Sequence, residues 1–177
     1  MSRTDLASRV RAAVRDVPDF PQPGIIFKDI TPVLGDAILF SDVVTHFAEH
    51  LRQHYIDVVA GIESRGFIFG APLATQLNTG FVPIRKPGKL PAETVRVDYA
   101  LEYGSDALEA HADSIRPGQR VLIVDDVLAT GGTANAAAKL VRQLGGEVVG
   151  FCIVIELGFL NGREKLDDTP LHTLITY

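Results

Sequence analysis

Residues 120–134 read Arg120-Val121-Leu122-Ile123-Val124-Asp125-Asp126-Val127-Leu128-Ala129-Thr130-Gly131-Gly132-Thr133-Ala134. The apolar run 120–124 predicts a short buried strand that ends in two adjacent carboxylates. Two glycines between threonines follow, and residues 132–144 predict a helix that stops at Gly145-Gly146. Open α/β sheets bind ligands outside the carboxyl ends of their strands. Glycines let the backbone approach a phosphate, and a helix N-terminus adds N–H donors and a favourable dipole. Thr130 and Thr133 contribute hydroxyls. No lysine follows the glycines as in a Walker loop, and the spacing is not that of a dinucleotide fingerprint. Asp125 and Asp126 suit other partners, either sugar hydroxyls or the water ligands of Mg2+. The competing account of the stretch is a helix cap beside a solvated acid pair.

The same rhythm extends on both sides. Residues 57–62 predict a buried strand, 63–66 a polar turn, and the following residues a helix to about Leu77. Residues 81–85 and 147–157 are further strands, and 172–177 a last one. Short apolar strands alternating with helices indicate an α/β fold with a mainly parallel sheet covered on both faces. Residues 94–99 and 101–110 alternate as a hairpin, expected to stand over that sheet as an appendage. Between Arg85 and the hairpin lies a Pro/Gly/Lys-rich loop, 86–91. Nearer the N-terminus, 6–17 and 36–54 carry helical spacing, separated by a Pro/Gly-punctuated segment.

No repeat or linker divides the 177 residues, so one domain over 1–177 is expected. The chain is 46% hydrophobic and 22% charged, ordinary values that argue against disorder. A net charge of −5 predicts no general affinity for nucleic acid or anionic membranes. The single cysteine excludes an intrachain disulfide and fits a reducing compartment. No apolar run approaches the roughly 20 residues of a membrane span, and residues 1–5 lack a signal-peptide character. A cytoplasmic location is expected.

Residues 121–134 resemble the phosphoribosyl-pyrophosphate (PRPP) motif of the type I phosphoribosyltransferase family. Other blocks are similar to its adenine-specific members: Phe20-Pro21-Gln22-Pro23-Gly24-Ile25-Ile26-Phe27-Lys28-Asp29-Ile30-Thr31-Pro32, Glu63-Ser64-Arg65-Gly66-Phe67, Arg85-Lys86-Pro87-Gly88-Lys89-Leu90-Pro91, Leu101-Glu102-Tyr103-Gly104, Glu156-Leu157 and Gly162-Arg163. They follow in order from about Phe20 to Arg163. The resemblance implies an N-terminal hood, a hairpin lid, and conversion of adenine and PRPP to AMP and pyrophosphate with Mg2+. It also implies a homodimer.

Carried over by position, Ala129, Thr130, Gly131, Gly132 and Thr133 would hold the 5′-phosphate, and Asp125 and Asp126 would face the ribose hydroxyls. Ser64, Arg65, Lys86 and Lys89 would serve the pyrophosphate. Glu102 would act as the acid near N7 of the base, which requires its neutral form. Ile26, Phe27, Lys28 and Leu157 would line the base pocket, with Mg2+ held by substrate and water rather than directly by the chain. Duller readings accompany several of these residues. Arg65 could pair with Glu63, Glu102 could be an exposed hairpin acid, and Ile26 could be core. Many relatives carry Arg where Lys28 stands, so selectivity for another purine stays open, as does a PRPP-sensing regulator without catalysis.

His46-Phe47-Ala48-Glu49-His50 matches an inverted zinc-protease motif, and His54 continues the spacing. These residues flank an ordinary amphipathic stripe, and a solvated helix is the expectation. Cys152, inside an apolar strand, reads as a buried thiol.

Overall fold

A computed structural model describes residues 3–100 and 105–177. The chain forms two compact units, 1–46 and 47–177.

In the first unit, α1 (Arg3–Ala13) buries Leu6 and Val10. The helical spacing that runs on to Val17 is overruled. Residues beyond Ala13 instead form β1 (Arg15–Pro18), antiparallel to β2 (Ile26–Asp29). The register sets Asp16 opposite Lys28 and Arg15 opposite Asp29, so opposite charges face each other across the pair. Two ion pairs result, Lys28 Nζ to Asp16 Oδ1 at 2.7 Å and Arg15 Nη2 to Asp29 Oδ2 at 2.6 Å. Thr31, chiefly, and Arg15 pull the Asp29 carboxyl down to about 2. The short helix α2 (Thr31–Gly35) follows, then α3 (Ala37–Leu51). Asp36 accepts hydrogen bonds from the N–H groups of Ile38 and Leu39, which satisfies donors left over at the start of α3. Arg9 of α1 pairs with Asp42 of α3 at 2.7 Å.

The second unit carries the parallel sheet. Its strands are β3 (Val58–Ile62), β4 (Gly80–Ile84), β7 (Arg120–Leu128), β8 (Glu147–Glu156) and β9 (Leu171–Thr176), in the order β4-β3-β7-β8-β9. Every neighbouring pair is parallel. β3 is buried along its whole length, and Phe151–Ile155 of β8 are fully buried. Such strands have no solvent face, which is why they read as unbroken apolar runs. Losing a ring as enclosed as Phe151 would cost about 3–5 kcal/mol.

Helix α4 (Arg65–Leu77) follows β3, and α5 (Gly132–Gln143) follows β7. The buried face of α5 is largely alanine, Ala134, Ala136, Ala137 and Ala138, which permits close approach to neighbouring layers. The hairpin strands β5 (Thr94–Ala100) and β6 (Ser105–His111) form a separate antiparallel sheet. Its base is more than an appendage. Val97, Leu108 and Ala110 join the same buried cluster as the alanines of α5 and Val121 and Ile123 of β7. Among the described residues no helix is long and apolar enough to cross a membrane.

Candidate active site

The acid pair does not end its strand. β7 runs on to Leu128, with Asp125 in register with Ile153, Val127 with Ile155 and Leu128 with Glu156. The carboxylates therefore stay inside the hydrogen-bonded ladder, and the turn into α5 begins only at Ala129. Gly131 caps α5 with φ +78, a left-handed conformation that glycine adopts without penalty. The turn is moulded from behind by Gly162, in the short 3-10 turn Gly162–Lys165. A Cβ on Gly162 would sit 2.1 Å from the Ala129 carbonyl oxygen, and one on Gly131 would sit 2.2 Å from the Gly162 carbonyl oxygen. Neither position has room for a methyl group.

The start of α4 abuts the acids. Arg65 Nε lies 2.8 Å from Asp126 Oδ2, an ion pair that lacks hydrogen-bond alignment at that oxygen. A Cβ on Gly66 would meet the Val124 carbonyl oxygen at 2.6 Å and Asp125 Oδ1 at 3.1 Å, so only glycine lets α4 approach this closely. Ser64 precedes α4 without capping it through its side chain, and the Glu63–Ser64 peptide bond is cis. Burial and then the neighbouring Asp126 push Asp125 well above the ordinary carboxylate range. Burial also raises Asp126, with Arg65 pulling the other way. Two adjacent acids, Asp126 buried and Asp125 partly so, that resist ionising together form a site that a cation or hydroxyl donors would relieve.

The pairing of Arg65 with Glu63 does not occur among these contacts. Glu63 instead accepts from Arg85 Nε and Nη2, both at 3.2 Å, and from the Lys86 N–H at 2.9 Å. Gly88 N–H donates to Glu109 Oε2 at 3.1 Å, and Arg85 Nη1 to the Lys89 carbonyl at 3.2 Å. The basic loop is thus fastened at its root. Lys86 Nζ pairs with Asp106 Oδ2 and donates to the Tyr99 hydroxyl at 3.0 Å. Burial alone would lower Lys86, but Asp106 and Tyr99 outweigh it and raise the ammonium.

Of the base-side residues, Ile26, Phe27 and Lys28 share β2 in the first unit, with Ile26 57% exposed rather than core. The Phe27 ring meets that of Phe20 edge-on at 5.1 Å. Leu157 is in the second unit, where its N–H donates to the Leu128 carbonyl at 2.9 Å just beyond β8. Glu102, with the rest of its block, lies outside the described residues. Arg163 grips the buried Glu156 with two hydrogen bonds, Nε to Oε1 at 3.0 Å and Nη2 to Oε2 at 2.7 Å. That grip holds Glu156 below its usual range against the effect of burial.

Tyr99, Asp106 and the packing role of Gly162 escape a reading by sequence. For Gly162 the turn dipeptide Asn161-Gly162 marks a bend but not what the bend supports. The histidines of the protease-like motif divide between the units. His50 Nε2 lies 2.7 Å from His172 Nδ1 of β9, and the His54 ring stands 5.8 Å from that of His172. Cys152 is fully buried, as expected.

A parallel sheet that delivers an acid pair toward a Thr-Gly-Gly-Thr turn, with an arginine from the start of a neighbouring helix on the second acid, defines the phosphoribosyltransferase class. The phosphoribosyl transferase domain family matches residues 34–172. The chain is 56% identical over 173 residues to the adenine phosphoribosyltransferase of Thermobifida fusca, covering 98% of each. It superposes on the crystal structure of adenine phosphoribosyltransferase from Thermoanaerobacter pseudethanolicus with a TM-score of 0.94 and 53% identity, covering 97% of this chain and 99% of that one. The Saccharomyces cerevisiae enzyme, complexed with adenine and an imino-altritol bisphosphate, matches with a TM-score of 0.93 and 43% identity, again over 97% and 99%. The chain belongs to the phosphoribosyltransferase family, in its adenine phosphoribosyltransferase branch.

Proposed function

We propose that the protein transfers the phosphoribosyl group of PRPP to adenine, forming AMP and pyrophosphate in purine salvage. The observation that carries this reading is the Asp125–Asp126 pair near the end of β7, before the glycine turn, with Arg65 anchored on the buried Asp126. Backbone N–H groups of Ala129–Thr133 and the hydroxyls of Thr130 and Thr133 hold the 5′-phosphate at the start of α5. Asp125 and Asp126 accept from the ribose hydroxyls, which orients the anomeric carbon toward the base. Ser64, Arg65, Lys86 and Lys89 place donors and positive charge beside the leaving pyrophosphate. As the bond to pyrophosphate lengthens, the sugar gains oxocarbenium character, so the reaction needs no protein nucleophile.

Glu102, in its neutral form, donates to the base near N7 and offsets the charge change as the attacking nitrogen loses its proton. The family resemblance assigns the purine to Ile26, Phe27, Lys28 and Leu157. Closure of the hairpin lid would exclude water from PRPP. Bound Mg2+ supplies charge neutralisation for the pyrophosphate. The acid pair suits such an ion, because a cation relieves two adjacent carboxyls that resist ionising side by side. Asp125 and Asp126 would hold it through its water ligands. The relatives align across both units, which supports one phosphoribosyltransferase domain over 1–177. We infer a homodimer in the cytoplasm.

The test is turnover of PRPP and Mg2+ with adenine, hypoxanthine, guanine, xanthine and orotate offered separately. AMP from adenine alone is the expected result. Product from another base would overturn the base pocket, and PRPP binding without any product would favour a sensor.

A further inference from the structure

We propose that Tyr99 is a positioning residue whose hydroxyl ties the ammonium of Lys86 to the hydroxyl of Thr133, so that one phenol sets both anion-holding arms of the site. The proposal rests on the reading above, in which Lys86 serves pyrophosphate and Thr133 the 5′-phosphate. A phenol has one hydrogen to give and accepts through its oxygen lone pairs. Lys86 Nζ donates to the Tyr99 hydroxyl at 3.0 Å, Thr133 Oγ1 donates to it at 3.3 Å, and it donates to Asp106 Oδ2 at 3.3 Å. Asp106 completes the group by pairing with Lys86 itself.

Three separate elements meet at this hydroxyl. Lys86 follows β4, Thr133 opens α5, and Tyr99 and Asp106 are register partners across β5 and β6. Being paired across the hairpin, the phenol and the carboxylate project from one face of it. Lysine carries its charge on a flexible four-carbon stem, and a threonine hydroxyl rotates freely. Both therefore bring a conformational cost to any anion that must order them, and a shared acceptor removes part of that cost beforehand. Lys86 Nζ also lies 5.5 Å from the centroid of the Tyr99 ring. That second contact makes the hydroxyl separable from the ring. Tyr99→Phe keeps the aromatic packing and the cation–ring contact and deletes only the hub.

The experiment measures steady-state kinetics and Tm for wild type, Y99F, K86M, T133V and K86M/T133V, with the last three repeated in the Y99F background. Calorimetric binding of inorganic pyrophosphate to wild type and Y99F runs alongside. Y99F is expected to raise KM for PRPP and weaken pyrophosphate about tenfold, the scale of a hydrogen bond to a charged group. KM for adenine and Tm stay close to wild type. K86M and T133V are expected to combine non-additively by about fivefold, and to become additive once Tyr99 is Phe. A Y99F enzyme with a lowered Tm but wild-type KM for PRPP would make Tyr99 merely structural and sink the proposal. So would non-additivity that survives Y99F. If wild type makes no AMP yet Y99F still weakens pyrophosphate, the hub stands and the substrate reading falls. Equal pyrophosphate binding removes the hub, and no binding by wild type removes both.

Discussion

Arg65 Nε sits 2.8 Å from Asp126 Oδ2, so the first residue of α4 is tied to a carboxylate held only 5% exposed inside β7. The pair joins the start of the helix that follows β3 to the interior of β7. It also leaves Asp125 as the acid with the least compensation, because burial and Asp126 both oppose its ionisation.

Asp125→Asn should therefore stabilise the protein while harming its function. The fold holds Asp125 above its ordinary value of 3.8. Its contribution to stability is complete below that pH and is lost as pH rises through the raised value. The amide removes an acid whose ionisation the fold opposes, so the variant should be more stable at neutral pH than wild type. Tm should rise by roughly 2–4 °C per kcal/mol in a chain of this size. KM for PRPP should rise as well. Thermal melts from pH 4 to 8 with kinetics at pH 7 check both, and an unchanged KM would remove Asp125 from ribose recognition.

Gly162→Ala tests whether the turn is moulded from behind. The new methyl would lie 2.1 Å from the Ala129 carbonyl oxygen and 2.9 Å from the Gly131 nitrogen. Both are backbone atoms with little freedom to yield, and overpacking of this kind costs about 1–3 kcal/mol. Melting and PRPP titration should show a lower Tm together with weaker PRPP binding. Full PRPP affinity in the variant would show that the cradle does not depend on this contact.

How far the sequence disclosed this arrangement varies with range. β3 and β8 were legible because strands buried on both faces leave no polar residue to break the run. β7 was legible only to Val124, since two carboxylates ordinarily mark the end of a strand. Here the ladder continues past them, Val127 in register with Ile155. β1 was masked because Val14 and Val17 fit a helix, while the partner strand that decides the matter begins only at Ile26. Thr130–Thr133 carried their meaning locally, in a turn and a helix start. Arg65 with Asp126, and Tyr99 with Thr133, join residues that no local spacing connects.

His172 should make the protein sensitive to mild acid. Burial, then His50 and His54, lower it to about 4. The fold thus prefers the neutral ring, a contribution present above about pH 6.5 and lost as pH falls toward 4. With solvent screening at this half-buried site, the effect is about 1 kcal/mol, or roughly 2–4 °C in Tm. His172→Gln should flatten the decline of Tm between pH 6.5 and 4. An equal decline in both proteins would assign the acid sensitivity elsewhere.

Glu102→Gln should separate chemistry from binding. If the carboxyl serves the base, kcat should fall about 100-fold or more, the usual scale for a lost general acid. PRPP affinity, read by calorimetry, should stay close to wild type. Unchanged turnover would return Glu102 to an ordinary hairpin residue.

The backbone of Gly162 fills the space a Gly131 side chain would need, and the backbone of Ala129 and Gly131 fills the space a Gly162 side chain would need. Replacement at either position alone is a collision, and replacement at both doubles it. The turn before α5 and the 3-10 turn at Gly162 are therefore one packed unit rather than two independent bends. A side chain at either position would force both stretches of backbone to move. The shape of the turn before α5 is thus decided as much by a residue near the far end of the chain as by the Thr-Gly-Gly-Thr stretch itself.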